Sequence, residues 1–344
     1  MSKTFTSAGE WYKGCLHCHT TNSDGALSPS EVLRLYKGNG YHFVSITDHG
    51  KITQLTQEPE GILFIPGEEM SVGTSKCGEG YHVISIGADR EPRNADGRGP
   101  DAVRRVVDGI VDNDGLAFIA HPYWSGLLPE DLMGIDGLSG IEIFNTGCEA
   151  EVAKGFSTVH WDQIIALGGN VRGIAVDDAH RYIHPPYDAL GGWIWVKAEE
   201  LSWENIASAM RAGSFYSTMG PEIRLLELGG TVKVRCSGAK QISMISRNGN
   251  GIVVDHPTMR DIVRNWRDGR SKIDNVVRDV DVDEAGGVVE LRITLSNGRE
   301  LRVVSSNGAI TEAECGLNFF KDYIRVEVTD TGGKKAWTNP IPLT

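Results

Sequence analysis

The sequence predicts an α/β protein, a barrel of about seven strands followed by a small antiparallel β-sandwich. Three observations predict it. From residue 14 to about 215, short β-branched runs alternate with helical patterns, as in a parallel sheet covered on both faces. About seven such runs favour a closed barrel over an open sheet. From about residue 221 onward the runs become short, alternate in polarity and are separated by turn residues such as SNG and TGG, the pattern of a sandwich.

The elements follow in order. GCLH is a short strand. SPSEVLRLYKGNG is a helix with Ser28 as cap, Pro29 in the first turn, Glu31 completing a capping box and Gly38 or Gly40 ending it. FVSITDHG, ILFIPGEEMS and YHVISIG read as buried strands. Val103, Val106, Val107 and Ile110 stand at helical spacing over residues 101–113. LAFIAHP and IEIFN are strands, WDQIIALGG is a helix ended by glycines, and VRGIAVDDAH is a strand. A helix near SWENIASAMRAG leads to FYSTMGPEI. The later strands are IRLLEL, TVKVRCS, KQISMIS, VVELRITL, ELRVVSS and YIRVEVTD. Among them residues 256–286 form a charged excursion from the sandwich, partly helical.

Composition bounds the function. The chain has 344 residues and a net charge of −12, from 34 Lys and Arg against 46 Asp and Glu. A negative field repels phosphate backbones, so nucleic acid is not expected as a partner except as a small nucleotide. No apolar run reaches the roughly 20 residues of a membrane helix. MSKTFTSAGEWYKG lacks the apolar core of a secretory signal, and six scattered cysteines do not make a disulfide scaffold, so a cytoplasmic protein with reduced thiols is expected. Monomer and homo-oligomer are both compatible with this composition. No GxGxxG or Walker-type loop follows an early strand, which argues against a nucleotide cofactor.

Strand candidates of the first part end on metal-ligand types. These are His17 and His19, Asp48 and His49, Glu68 and Glu69, His121, and Asp177, Asp178 and His180, while YHVISIG begins at His82. Six of the ten histidines are in this set, and in a parallel barrel strand ends share the face where sites are built. Histidine with carboxylate suits Zn, Mn or Fe at a hydrolytic site. Either carboxylate of each pair can reach a metal. Cys15 and Cys18 form a CxxC around His17, but no second CxxC accompanies it. The reading is two small buried thiols flanking a histidine pair.

In order, HCHTTNSDG, ITDHG, PGEE, YHVISIG, AHP and VDDAH resemble the motifs of the PHP superfamily, the polymerase and histidinol phosphatase domain, over about residues 11–220. WYKGCLHCHTTNSDG, WDQIIALGG and AWTNPI further resemble the branch of carbaryl-hydrolase-like metallohydrolases, in which a β-rich tail follows, here residues 221–344. The resemblance implies a distorted (β/α)7 TIM-like barrel holding two to three divalent ions. It implies His17, His19, Glu69 and Asp178 at the first metal, His82 and His121 with Glu69 at the second, and Asp24, His49 and His180 at the third. The expected activity is a metal-dependent phosphoesterase acting on a small phosphomonoester or phosphodiester. A hydrolase of carbamate, carboxyl ester or amide bonds and a non-catalytic, metal-stabilised interaction domain are the alternatives.

Two metals sharing a water lower its pKa from 15.7 toward about 7, and the hydroxide attacks phosphorus or a carbonyl carbon. Glu69, Asp178, His180 and Arg181 are the expected catalytic groups, Arg181 as a bidentate phosphate contact or the partner of a surface carboxylate. Asp48 and Asp177 are candidates for fixing histidine tautomers or for plain strand-end hydrogen bonding. Tyr123 and Trp124 make an aromatic wall plausible near the mouth, whereas Trp193 and Trp195 cover the core.

Overall fold

The structure is a computed structural model and describes residues 2–3, 8–55, 57, 60–88, 99–270 and 276–343. Two compact units are present, Ser7–Ser217 on one hand and Met1–Thr6 with Thr218–Thr344 on the other. No helix among the described residues is long and apolar enough to cross a membrane.

After the short strand β1 (Ser2–Lys3), the Ser7–Ser217 unit runs β2 (Glu10–Cys15), α1 (Pro29–Gly38), β3 (Phe43–Ile46), β4 (Leu63–Val72) and β5 (Tyr81–Ile86). It continues with α2 (Pro100–Val111), β6 (Leu116–Ile119), α3 (Pro129–Leu132), β7 (Gly140–Asn145), α4 (Thr146–Val152), α5 (Thr158–Ala166) and β8 (Arg172–Val176). β9 (Trp193–Ala198), α6 (Trp203–Arg211) and β10 (Phe215–Thr218) end it. The strands lie in the order β10-β9-β2-β3-β4-β5-β6-β7-β8. Pairs β2–β3, β3–β4, β6–β7 and β7–β8 are parallel.

The expectation of parallel strands throughout is corrected at two places. β5 is antiparallel to both β4 and β6, and β9 is antiparallel to β2. The physical reason is the connection. A parallel return needs a crossover, usually a helix. Residues 73–80, which join β4 to β5, and 177–192, which join β8 to β9, contain no helix.

Helices cover the sheet as their periodicity dictates. α1 starts at Pro29, with Glu31 accepting the Ser28 backbone N–H at 2.8 Å, and buries Val32, Leu33 and Tyr36. α2 buries Val103, Val106, Val107 and Ile110. The core is built from the inward residues of many strands, among them Leu16, Phe43, Ile65, Ile84, Phe118, Ile174, Val176, Ile194 and Phe215.

The second unit continues with β11 (Ile223–Leu228), β12 (Thr231–Ala239), β13 (Gln241–Ile245), β14 (Gly251–Asp255), α7 (His256–Arg267) and β15 (Val277–Ala285). Then come β16 (Val288–Leu295), β17 (Glu300–Ser306), β18 (Ala309–Gly316), β19 (Tyr323–Thr329), β20 (Lys335–Thr338) and β21 (Ile341–Pro342). One antiparallel sheet has the order β1-β11-β12-β18-β17-β16-β15. β14, β13, β19 and β20 pair antiparallel in a second layer. The layers meet where Cys315 Sγ lies 3.6 Å from Met244 Sδ. Ser2 pairs with Leu228, so the first residues of the chain join this unit. The charged excursion at 256–286 contains α7 and β15, while 271–275 lie outside the described residues.

Gly14 pairs with Phe43 across β2 and β3, and a Cβ on Gly14 would meet the Phe43 ring at 2.0 Å. The ring fills the space that the glycine leaves. Phe43→Ala is therefore expected to cost about 3–5 kcal/mol, and Gly14→Val to destabilise through overpacking. Urea unfolding reads both as a lowered midpoint with an unchanged slope. A midpoint at the wild-type value for either variant would contradict this packing.

Candidate metal centre

The strand ends bring their polar residues together through backbone bonds. The 17–19 segment is tied to 178–179, with Asp178 N–H donating to the His17 carbonyl at 2.9 Å and His19 N–H to the Ala179 carbonyl at 3.0 Å. Gly50 N–H donates to the Glu69 carbonyl at 2.9 Å, and Ala120 N–H to the His82 carbonyl at 2.9 Å. His82 belongs to this rim because β5 runs in reverse. Its first residues lie level with the last residues of the parallel strands, which removes the anomaly of a ligand type at a strand's start.

His17, His19, Glu69 and Asp178 form a buried cluster. His17 Nε2 is 3.0 Å from His19 Nε2, 3.2 Å from Glu69 Oε2 and 3.1 Å from Asp178 Oδ1. His19 Nε2 is 3.1 Å from the same Glu69 oxygen and 3.2 Å from the same Asp178 oxygen. The other oxygen of Glu69 turns to a second cluster. Oε1 is 2.7 Å from His82 Nδ1 and 3.2 Å from His121 Nε2.

The third cluster, His19, Asp24, His49 and His180, is looser and more open. Asp24 lies 3.6 Å from His49 Nε2 and 3.5 Å from His180 Nε2, and its side chain is 56% exposed. His49 Nδ1 also approaches Glu69 Oε2 at 3.2 Å.

These donors fit a divalent cation. All are imidazole nitrogens or carboxylate oxygens, and ligands held about 2.0–2.2 Å from one ion stand about 3–3.5 Å from each other. Neighbouring donor atoms of the first cluster are 3.0–3.2 Å apart. One proton cannot serve two imidazole nitrogens and two carboxylate oxygens at once, whereas a cation can.

Electrostatics agree. Burial disfavours charge on His17, but Asp178, Glu142 and Glu69 outweigh it and raise its pKa well above the ordinary histidine value. Burial likewise opposes ionisation of Glu69, and His17, His121 and His19 overcome it, holding the carboxyl well below its usual range. The cluster thus favours positive charge at its nitrogens and negative charge at its oxygens.

Of each carboxylate pair, Glu69 and Asp178 face the histidines. Asp48 instead accepts from Thr20 N–H at 2.6 Å, from the Thr20 and Ser23 hydroxyls, and from Thr53. Asp177 accepts from the Leu190, Gly191 and Gly192 N–H groups and from Tyr36. Both tie loops rather than orient histidine rings.

The residue that orients a ring is one the sequence reading passed over, Glu142. Its Oε1 lies 2.6 Å from His17 Nδ1, which leaves the Nε2 lone pair facing Glu69 and Asp178. Its Oε2 accepts from His121 N–H at 2.8 Å and from Asn145 Nδ2 at 2.9 Å, and Asn145 also donates to Asp178 at 3.0 Å. One carboxylate in IEIFN, a strand buried along its whole length, was the available signal. Burying a charge is costly unless it is paired. Ser125 Oγ, 3.0 Å from His121 Nδ1, was equally unmarked.

The thiols stand aside. Cys15 Sγ donates to the His17 carbonyl and Cys18 Sγ to the Ser45 carbonyl, and no cysteine joins a ligand cluster among the described residues. Arg181 lines a cavity of about 420 Å³ with Asp24, Cys148, Glu151, Asp178 and His180, and its guanidinium is 3.6 Å from Glu151. Trp193 and Trp195 pack against Lys13 and His42.

No family model matches the chain. A 5′-3′ exoribonuclease of Haemophilus influenzae is 34% identical over 80 residues, which span 22% of this chain and only 28% of that protein. A two-domain protein from Bacteroides vulgatus, described as containing a predicted PHP-like metal-dependent phosphoesterase, aligns over 98% of both chains with a TM-score of 0.50 and 14% identity. An amidohydrolase of Chromobacterium violaceum, solved with sulfate and no metal, covers 51% of this chain and 89% of its own, with a TM-score of 0.38 and 18% identity. The chain shares the fold of the PHP-like two-domain protein. The carbaryl-hydrolase-like branch rests on the sequence motifs alone.

The His19 shift has a consequence for pH. Burial lowers its pKa, but Asp178 and Glu69 raise it from 6.5 to about 9. A raised histidine stabilises the fold fully below its unfolded pKa and loses that contribution as pH rises through the folded one. Chelator-treated protein should therefore lose thermal stability between pH 6.5 and about 9. Comparison of Tm against pH should show a shallower decline in His19→Asn, and identical declines would refute the assignment.

Proposed function

We propose that the Ser7–Ser217 unit is a metal-dependent hydrolase of small phosphate monoesters or diesters, built on the distorted seven-stranded barrel of the PHP type. The observation that carries this reading is the division of Glu69. Its Oε2 meets His17, His19 and His49, and its Oε1 meets His82 and His121. A carboxylate shared in this way supports two adjacent divalent ions, Zn, Mn or Fe. In this reading His17, His19, Glu69 and Asp178 hold the first ion, and Glu69, His82 and His121 the second. Asp24, His49 and His180 hold a third, more exposed one.

Such ions, when bound, act as Lewis acids and lower the pKa of water. The chain supplies the rest. Glu142 fixes His17, and His180 donates from Nδ1 to the Asp178 carbonyl at 3.0 Å, which turns its Nε2 toward Asp24. Arg181 offers a cation at the cavity for anionic ester oxygens, in exchange for its contact with Glu151. Cys148 is a poor nucleophile, since burial, and then Asp178 and Glu142, push its thiol up far above its ordinary pKa.

The exoribonuclease relative, by its name, acts on phosphodiesters, which supports phosphoester over acyl chemistry. Hydrolysis of a carbamate, carboxyl ester or amide is the second reading. The half-exposed Trp124, whose ring centroid lies 5.0 Å from that of His121, would suit an aryl group there.

Elemental analysis of the purified protein should find two to three divalent ions per chain, lost in His17→Ala/His19→Ala. After addition of Mn²⁺ or Zn²⁺, p-nitrophenyl phosphate or its bis ester should turn over, and that variant should not. Turnover of an aryl carbamate or ester alone would transfer the assignment to the second reading. Bound metal without any turnover would leave a metal-stabilised interaction domain. In a separate test, chelator competition should show metal affinity about 10–100-fold weaker in Glu142→Gln. Unchanged affinity would remove Glu142 from the site.

A further inference from the structure

We infer that Trp124 is the recognition platform for a planar aromatic group carried by the substrate, a deepening that rests on the phosphoester reading. The indole sits in the turn that follows His121 and stands over the second ligand cluster. Its ring centroid is 5.0 Å from that of His121 at an interplanar angle of 69°, and 6.0 Å from that of His82 at 55°. Both contacts of Trp124 are edge-to-face or tilted rather than parallel stacks. The residue nevertheless remains 38% exposed.

A tryptophan that only sealed the rim would be expected to bury its large apolar area. This one keeps part of it open beside two histidines of the reacting centre. The preceding residue is an exposed aromatic as well. Tyr123 is 43% exposed, and the Lys154 ammonium lies 5.6 Å from its ring centroid. Lys154 is itself exposed. Trp124 is thus the accessible aromatic ring beside the second cluster, while the Tyr123 ring packs with Lys154 and His160. An open indole beside a donor set that fits a cation favours a ligand that joins a π-face to a negative charge.

The shared chemistry is an aromatic ring attached to a phosphoester. The ring can sit directly on the ester oxygen, as in an aryl phosphate, or be carried through a sugar, as in a nucleotide. The cavity beside the third cluster is different in kind. The cavity at Asp24, Glu151, Arg181 and Asp188 is lined mainly by charged groups, with the His180 imidazole but no Phe, Tyr or Trp. The two ends of a substrate would accordingly be distinguished, the aromatic end lying toward Trp124.

The test uses the full chain loaded with Mn²⁺ and two matched pairs, adenosine 5′-monophosphate against ribose 5-phosphate and phenyl phosphate against hexafluoroisopropyl phosphate, an alkyl ester whose alcohol is about as acidic as phenol. Wild type should prefer the aromatic member of at least one pair by about tenfold or more in kcat/KM, the scale of one base–aromatic stack. Which pair shows it identifies how the ring is carried. In Trp124→Ala the ratio should collapse toward one, and Trp124→Phe should restore most of it. A merely structural role would lower both members of a pair together and leave the ratio standing. That result, or a wild-type ratio near one in both pairs, would overturn the inference while the phosphoester reading survives.

Equilibrium binding separates the opposite failure. Adenosine and phenol, which lack phosphate, should bind wild type in equilibrium dialysis and bind Trp124→Ala at least about fivefold more weakly. Such binding with no phosphoester turned over would retain the platform and reject the phosphoester reading. Absence of turnover together with equal binding in the two proteins would overturn both.

Discussion

The Glu69 carboxylate is the constraint on which the site depends. It is buried, and each of its two oxygens faces a different set of imidazoles. A buried carboxylate is costly unless its charge is met from every side. Here it is met by rings from four separate strand ends, His17, His49, His82 and His121. Displacing any of these ends exposes an unmet charge, so the chemistry of the centre and the arrangement of the sheet hold each other in place.

The fold provides this convergence by irregularities rather than by regular elements. β5 is reversed, which carries His82 to the rim where the parallel strands finish. His121 and Asp178 have φ of 28° and 55°, the left-handed region that non-glycine residues avoid. Each such residue costs about 1–3 kcal/mol unless its surroundings impose it. The surroundings here are Glu142 accepting from the His121 N–H and Asn145 binding the Asp178 carboxylate. Strained backbone and buried charge are thus balanced by the same two side chains of β7.

Much of this was legible because it follows from periodicity and residue type. The buried strands, the valine face of α2 and the break to antiparallel sheets near residue 220 are patterns that a sequence displays directly. The recurrence of His and carboxylate at strand ends was visible for the same reason. Strand direction was not visible, since a buried run such as YHVISIG reads alike in either direction and only its short connection reveals the reversal. The role of Glu142 was hidden because its partner His17 is 125 residues away. Asp48 and Asp177 stayed open between fixing histidine tautomers and plain hydrogen bonding, because adjacency in sequence says little about which way a strand turns its side chains, and the structure shows the hydrogen bonding.

The hairpin of β4 and β5 bears on the order in which the chain assembles. Glu69 and His82 are 13 residues apart and on paired neighbouring strands, whereas His19 and Asp178 are separated by 159. Closing the longer loop costs more chain entropy, and contacts of low sequence separation form more readily. Two of the three residues of the second cluster are therefore local enough to meet in a nascent hairpin. The first cluster closes only when the 17–19 and 178–179 segments pair, near completion of the unit. A cation captured early by the hairpin would then act as a template onto which the remaining strand ends are gathered.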